Sequence, residues 1–294
     1  MADYVIITDS TCDLPQAYVD EAGVKVQPLT YRICGKEYQN YLDGRQQSHH
    51  DFYDLMRQGN IGTTAQLNIV DIENFWRPYL EEGKDLLILG FSSGLSGSFN
   101  AMRMAKETLQ EEFKDAKIML IDSLCASGGE GLYVHYAVEN KKKGMDIEQN
   151  YQAMLALRPH LITWFTVDDI DTLYRGGRLS MGAATVAKML RIKPVLKVDD
   201  AGHLQAVYKK VGRKQALKQL VDSTIKTLDR SFKQTLFVGH ADSLDEAEEL
   251  SSMLSKALTA EQIEADIRLI EIGPVIGSHA GPKTLLIASV GSER

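Results

Sequence analysis

Strand-length apolar runs recur along this chain, and most are separated by amphipathic helical segments. Tyr4-Val5-Ile6-Ile7-Thr8 is the first run, and Val24 to Ile33 reads as a second strand. Asp85 to Gly90, Lys117 to Asp122, Thr163 to Val167, Thr235 to Val238 and Thr284 to Val290 repeat the pattern. Helices are predicted between them. One lies between Pro15 and Gly23, others run from Ser48 to Gly59, Asp71 to Leu80 and Asp146 to Leu157, and later ones span Lys214 to Leu228 and Asp245 to Leu258. Ser48 and Asp51 form a helix-opening cap pair, and Pro78 is expected to kink or shorten its helix. Pro194 to Val198 and Gln205 to Val211 read as a hairpin turned at Asp200-Ala201-Gly202. This alternation specifies an α/β protein with mainly parallel sheets flanked by helices. The 294 residues fill two domains at about 150 residues each, divided at 1–160 and 161–294.

Other classes are excluded by charge and hydropathy. Lys plus Arg is 33 against 40 for Asp plus Glu, a net charge of −7. Nucleic-acid binding needs a broad basic face, so none is expected. No apolar run approaches the ~18 residues that span a bilayer, so no stable membrane insertion is expected. The N-terminal Met-Ala-Asp-Tyr has neither the basic nor the apolar stretch of a signal peptide. Cys12, Cys34 and Cys125 are odd in number and far apart, which suits neither a disulfide framework nor a zinc site and fits the reducing cytoplasm. His49-His50 lacks the i, i+4 spacing of a helical metal pair, and no metal is expected.

Three polar loops follow strands, where doubly wound sheets place ligands. They are Thr8-Asp9-Ser10-Thr11, Ser92-Ser93-Gly94-Leu95-Ser96-Gly97-Ser98 and Asp122-Ser123. The second carries the most information: Ser96 or Ser98 can cap the following helix and leave backbone N–H groups facing an anion. Gly90-Phe91-Ser92-Ser93-Gly94 also matches the G-x-S-x-G nucleophile elbow, with Asp242 and His279 in the right order to complete a triad. An elbow passes at once into its helix, whereas Leu95-Ser96-Gly97 prolongs this loop. A serine hydrolase using Ser92 is therefore the alternative reading. Gly277 to Thr284 resembles a P-loop, but the glycine spacing is one residue short and Pro282 removes a needed donor. His279 stands in a Gly-flanked loop between two strands. Arg175-Gly176-Gly177-Arg178 reads equally as a capped helix end or an anion contact.

Taken together, these segments resemble the DegV family of bacterial lipid-binding proteins. Those that carry the resemblance are Thr8 to Leu14, Val26-Gln27-Pro28-Leu29, Gly62-Thr63-Thr64-Ala65-Gln66, Ser92 to Ser98, Ile121-Asp122-Ser123, Gly176-Gly177-Arg178-Leu179-Ser180, Ile192 to Leu196 and Gly273 to Pro282. The resemblance implies two α/β domains holding a long-chain fatty acid at their junction. It implies a subunit of bacterial fatty acid kinase with no catalytic residue or cofactor of its own. A separate ATP-binding kinase subunit would phosphorylate the carboxylate, feeding phospholipid synthesis. The family's carboxylate-binding Thr falls on Thr64 and its loop Ser on Ser96, with Ser93, Thr63 and Gly97 adjacent. The family's His falls on His279, and its Gly-Gly-Arg arginine on Arg178, with Arg175 close by. Two segments depart from the pattern: Thr64-Ala65-Gln66-Leu67-Asn68 replaces Thr-Ser-Gln-Pro-Ser, and Gly281-Pro282-Lys283 replaces Gly-Pro-Gly.

Overall fold

The computed structural model describes residues 4–179 and 192–292. Strands β1 (Tyr4–Asp9), β2 (Lys25–Gln27), β6 (Asp85–Gly90) and β7 (Ile118–Asp122) form a sheet ordered β2-β1-β6-β7. Every pairing in it is parallel. Leu86, Leu87, Ile88 and Leu89 are wholly buried, as a strand covered on both faces requires. Helices α1 (Gln16–Ala22), α2 (His49–Arg57), α3 (Ile69–Glu81) and α4 (Ser98–Glu112) belong to this half. Gly23 ends α1 at φ 68°, and Ser48 Oγ accepts from Asp51 N at 3.1 Å to open α2. Asn68 caps α3 by accepting from Asp71 N at 2.9 Å. The helix then runs past Pro78 to Glu81.

The predicted strand from Val24 to Ile33 is two strands in two sheets. Pro28 lacks the N–H a ladder needs, so the chain leaves the parallel sheet and re-forms as β3 (Thr30–Ile33). With β4 (Lys36–Gln39) and β5 (Thr63–Ala65) it makes a small antiparallel sheet ordered β4-β3-β5.

The remaining strands are β8 (Leu161–Thr166), β9 (Ile192–Val198), β10 (Leu204–Val211), β11 (Gln234–His240), β12 (Ala265–Glu271) and β13 (Leu285–Val290). Their order is β10-β9-β8-β13-β11-β12, and only β11–β12 is parallel. The α/β class holds, but this sheet is mixed rather than mainly parallel. The β9–β10 hairpin is as predicted, whereas the other pairings depend on return connections that the hydrophobic runs do not encode.

Helix α5 (Gly128–Lys142) lies between the two large sheets, packing on β8, β11 and β13 and also on β1 and β6. Its Leu132, Tyr133 and Val134 are all fully buried, so the helix is covered on every side over this stretch, with Glu130 and His135 buried among the apolar residues. Glycine permits the close approach: a Cβ on Gly131 would stand 2.5 Å from the Cys12 carbonyl oxygen, and one on Gly128 2.7 Å from Leu286 Cδ1. One core cluster therefore runs from Ile6 through Tyr133 to Phe237 and Leu286. Helices α6 (Ile147–Leu157), α7 (Ile170–Arg175), α8 (Arg213–Thr227), α9 (Leu244–Ala260) and α10 (Pro274–Ala280) complete the described elements.

Candidate functional site

Between the carboxyl end of the parallel sheet and the mixed sheet lies a cavity of about 280 Å³. Much of its wall is apolar: Phe91, Leu95, Phe165, Leu173, Ile272, Val275, Ile276 and Leu286. Thr64, Ser96, Gly97, Arg178 and His279 also line it. These five come from β5, the loop before α4, the turn after α7 and helix α10, so distant segments converge on one pocket.

Local chemistry fixes each polar group. Thr64 Oγ1 and His279 Nε2 are paired at 2.8 Å. His279 Nδ1 is buried without a partner among the described residues. A Cβ on Gly176 would lie 2.4 Å from that nitrogen, so only glycine lets the turn close over the ring. Burial, with the nearby Arg178 charge adding to it, pushes the His279 pKa down to about 4, and the imidazole is neutral at pH 7. Arg178 donates from Nε to Leu95 O at 3.1 Å and from its terminal nitrogen to Gly176 O. Among the described residues it has no carboxylate partner, and burial lowers its pKa. Ser96 Oγ accepts from Ser98 N at 3.1 Å and sits 3.0 Å from Ser98 Oγ, which in turn accepts from Leu67 N. The α4 N-cap is Gly97, with Ser98 already inside the helix, so the cap position is one residue away from either predicted serine.

Three sequence candidates stand elsewhere. Thr63 is exposed on β5, Arg175 is exposed at the end of α7, and Ser93 is exposed with its N–H given to Asp122 Oδ1 at 3.2 Å. None of them lines the cavity. Ser180 of the Gly-Gly-Arg segment lies outside the described residues. His279, expected in a loop, is on α10, whose Pro274 start reads from sequence as a loop signal but serves as a helix opener.

The nucleophile-elbow reading fails on geometry. Ser92 is wholly buried and donates to Gly202 O at 2.8 Å, so no base is placed to take its proton. Asp242 is occupied by Arg57 and His50, and His279 by Thr64. His50, Asp54 and Asp242 do converge, but Arg57 already pairs with both carboxylates there.

Two of the three polar loops prove structural. Thr8, Asp9, Ser10 and Thr11 are fully buried. Asp9 accepts from Thr11 N, Thr11 Oγ1 and Phe91 N. Thr8 Oγ1 lies 2.9 Å from Leu89 O and 3.0 Å from Glu130 Oε1. Thr8 has one hydrogen and a carbonyl only accepts, so the second bond uses a proton carried by Glu130. Burial first, and Asp9 second, push the Glu130 pKa well above the usual carboxylate range, in agreement with that count. Asp122 Oδ1 serves its own turn by accepting from Leu124 N. Sequence reasoning missed Gln66, Ser127 and Thr163 on the cavity wall. Gln66 stood within a quoted segment, whereas nothing local marks the other two.

The DegV family model ("Uncharacterised protein, DegV family") matches residues 3–291. A DegV domain-containing protein of Clostridium perfringens is 36% identical over 294 residues, covering 100% of this chain and 99% of its own. A Thermus thermophilus DegV family protein, described by its fatty acid binding, superposes with TM-score 0.85 at 26% identity, covering 98% of this chain and 99% of its own. A fatty-acid-binding DegV protein of Streptococcus agalactiae superposes with TM-score 0.84 at 25% identity, covering 100% of both chains. Matched along nearly its whole length in sequence and in fold, the chain belongs to the DegV family.

Proposed function

We propose that this protein binds a long-chain fatty acid in the cavity and presents its carboxylate to a separate ATP-binding kinase subunit, which forms the acyl phosphate. The observation that carries the reading is an apolar cavity whose wall also gathers Thr64, Ser96, Arg178 and His279. An acyl tail of about 14 methylenes has a gross burial gain near ~11 kcal/mol, from which chain ordering and lost motion subtract a large share. The carboxylate leaving water needs donors. With its hydrogen on Nε2, His279 donates to Thr64 Oγ1, which turns the Thr64 hydroxyl hydrogen toward the ligand. Ser96 Oγ, the Gly97 backbone and the Arg178 charge complete the set.

Among the described residues the Thr64–His279 pair on the cavity wall has no acid behind the imidazole, whose Nδ1 is unpartnered, which supports a carrier rather than a stand-alone enzyme, and we propose that it acts in the cytoplasm. We further propose that the chain divides into lobes at residue 160, with the lipid at their junction. Mild organic extraction of the purified protein followed by mass spectrometry tests binding: one equivalent of fatty acid is expected. A clean extract, with no thermal shift on adding palmitate or oleate, refutes it. Acyl phosphate formed only when an ATP-binding kinase subunit is added supports presentation. Hydrolysis of simple esters blocked by Ser92→Ala refutes the non-catalytic assignment.

A further inference from the structure

Two consecutive residues leading into α10, Ile272 and Gly273, are held by side chains from the first half of the molecule, and His49 lies beside the residue before them. His49 Nδ1 lies 3.2 Å from Glu271 Oε2. Tyr53 Oη donates to Ile272 O at 2.7 Å. Gly273 N donates to Asp13 Oδ1 at 2.9 Å. Gly273 caps α10, and α10 carries His279. The other oxygen of Asp13 accepts from Ser127 Oγ at 2.5 Å, and Ser127 lines the cavity. Asp13 and Ser127 both hold left-handed backbones, at φ 51° and 52°, and both are 3% exposed. Non-glycine residues keep that conformation only where surrounding bonds enforce it. A Cβ on residue 273 would stand 3.0 Å from Asp13 Oδ1 and 3.1 Å from Asn40 Oδ1, so a larger residue would press on the Asp13 carboxylate.

We infer that Asp13 is a positioning residue for the lipid head group: it locks α10, and with it His279, to the cavity wall at Ser127, and its protonation loosens that lock. The lock itself is independent of the ligand's identity, and the lipid part rests on the fatty-acid reading above. When ionised, Asp13 accepts two charge-assisted bonds, which are shorter and stronger than neutral ones. When protonated, it becomes a donor on one oxygen and the Ser127 bond must reverse. Burial raises the Asp13 pKa to about 7, so the change falls near neutrality. The titratable groups facing it are Asp9 and Cys12 beside it, His49 and Tyr53 from α2, and Glu130 from α5. His279, at about 4, does not titrate between pH 6 and 8.

The test is release of palmitate from the loaded protein to excess albumin at pH 6 and pH 8. Release from the wild type is expected to be about tenfold faster at pH 6, the ratio of a charge-assisted to a neutral bond. Asp13→Asn, which mimics the protonated form, is expected to release at the fast rate at both pH values. His50→Gln, which removes an exposed imidazole paired with Asp242 and not with Asp13, is expected to keep the wild-type profile. An Asp13→Asn protein with the wild-type profile, or a profile abolished by His50→Gln alone, overturns the inference. A protein that retains no palmitate defeats the fatty-acid reading and leaves this one testable on the empty protein. There the His279 imidazole resonances should shift between pH 6 and 8 in the wild type and not in Asp13→Asn. Unchanged resonances in both overturn it.

Discussion

Single residues separate ligand chemistry from architecture at this site. Among the described residues Ser96 Oγ bonds only Ser98 at the start of α4, so Ser96→Ala should weaken fatty-acid retention while costing at most about 1 kcal/mol of stability. Binding and urea unfolding of the same sample check this, and global unfolding would reduce Ser96 to a loop fastener. Lys283 stands at φ 61°, where the family pattern has glycine. A side chain there costs roughly 1–2 kcal/mol, partly offset by the lower unfolded-state entropy of a non-glycine residue. Lys283→Gly should therefore leave stability unchanged or raise it by up to about 1 kcal/mol in denaturant titrations. Asn68 shows the opposite case: it replaces the family's serine yet still caps α3, because either side chain offers an oxygen to the N3 amide.

At the scale of elements, the α5 glycines decide how the sheets meet. The Cβ added by Gly131→Ala would strike the Cys12 carbonyl, a backbone atom that no rotamer change moves. Overpacking of that kind costs about 1–3 kcal/mol, and the melting temperature should fall accordingly. Periodicity located most elements because each strand or helix buries a face locally. It failed for the Val24 to Ile33 run, where Pro28 diverts the chain to another sheet, and for α10, where seven residues are too few to show a helical period. Thr63 and Thr64 are adjacent on one strand, and pleating sends them to opposite faces, so which threonine reaches the cavity was set by the pairing of β5 with β3.

Across the whole molecule, buried titratable groups link folding to pH. His135 on α5 packs against Tyr18 of the first half and Phe237 of the second. Burial depresses its pKa to about 4 from an unfolded value of 6.5. Between those values the unfolded chain takes up a proton that the native chain refuses. The stability of the wild type relative to His135→Gln should therefore fall as pH drops from 6.5 to about 4, and level off below. Unfolding free energies at half-unit pH steps measure that difference, and a flat difference would contradict it.

The sequence by itself determined the α/β class, most element positions, the family and the segments around the site, since these follow from local periodicity, caps and motif order. Only the tertiary structure decided that Thr64, Ser96, Arg178 and His279 share a cavity while Thr63, Ser93 and Arg175 face away. It also decided that the Thr8 to Thr11 loop and Ser92 are buried fasteners. The reason is that convergence and facing depend on strand register and sheet pairing between residues more than two hundred positions apart, as in the Thr64–His279 bond across 215 residues. Chain-local preferences carry no record of those distances.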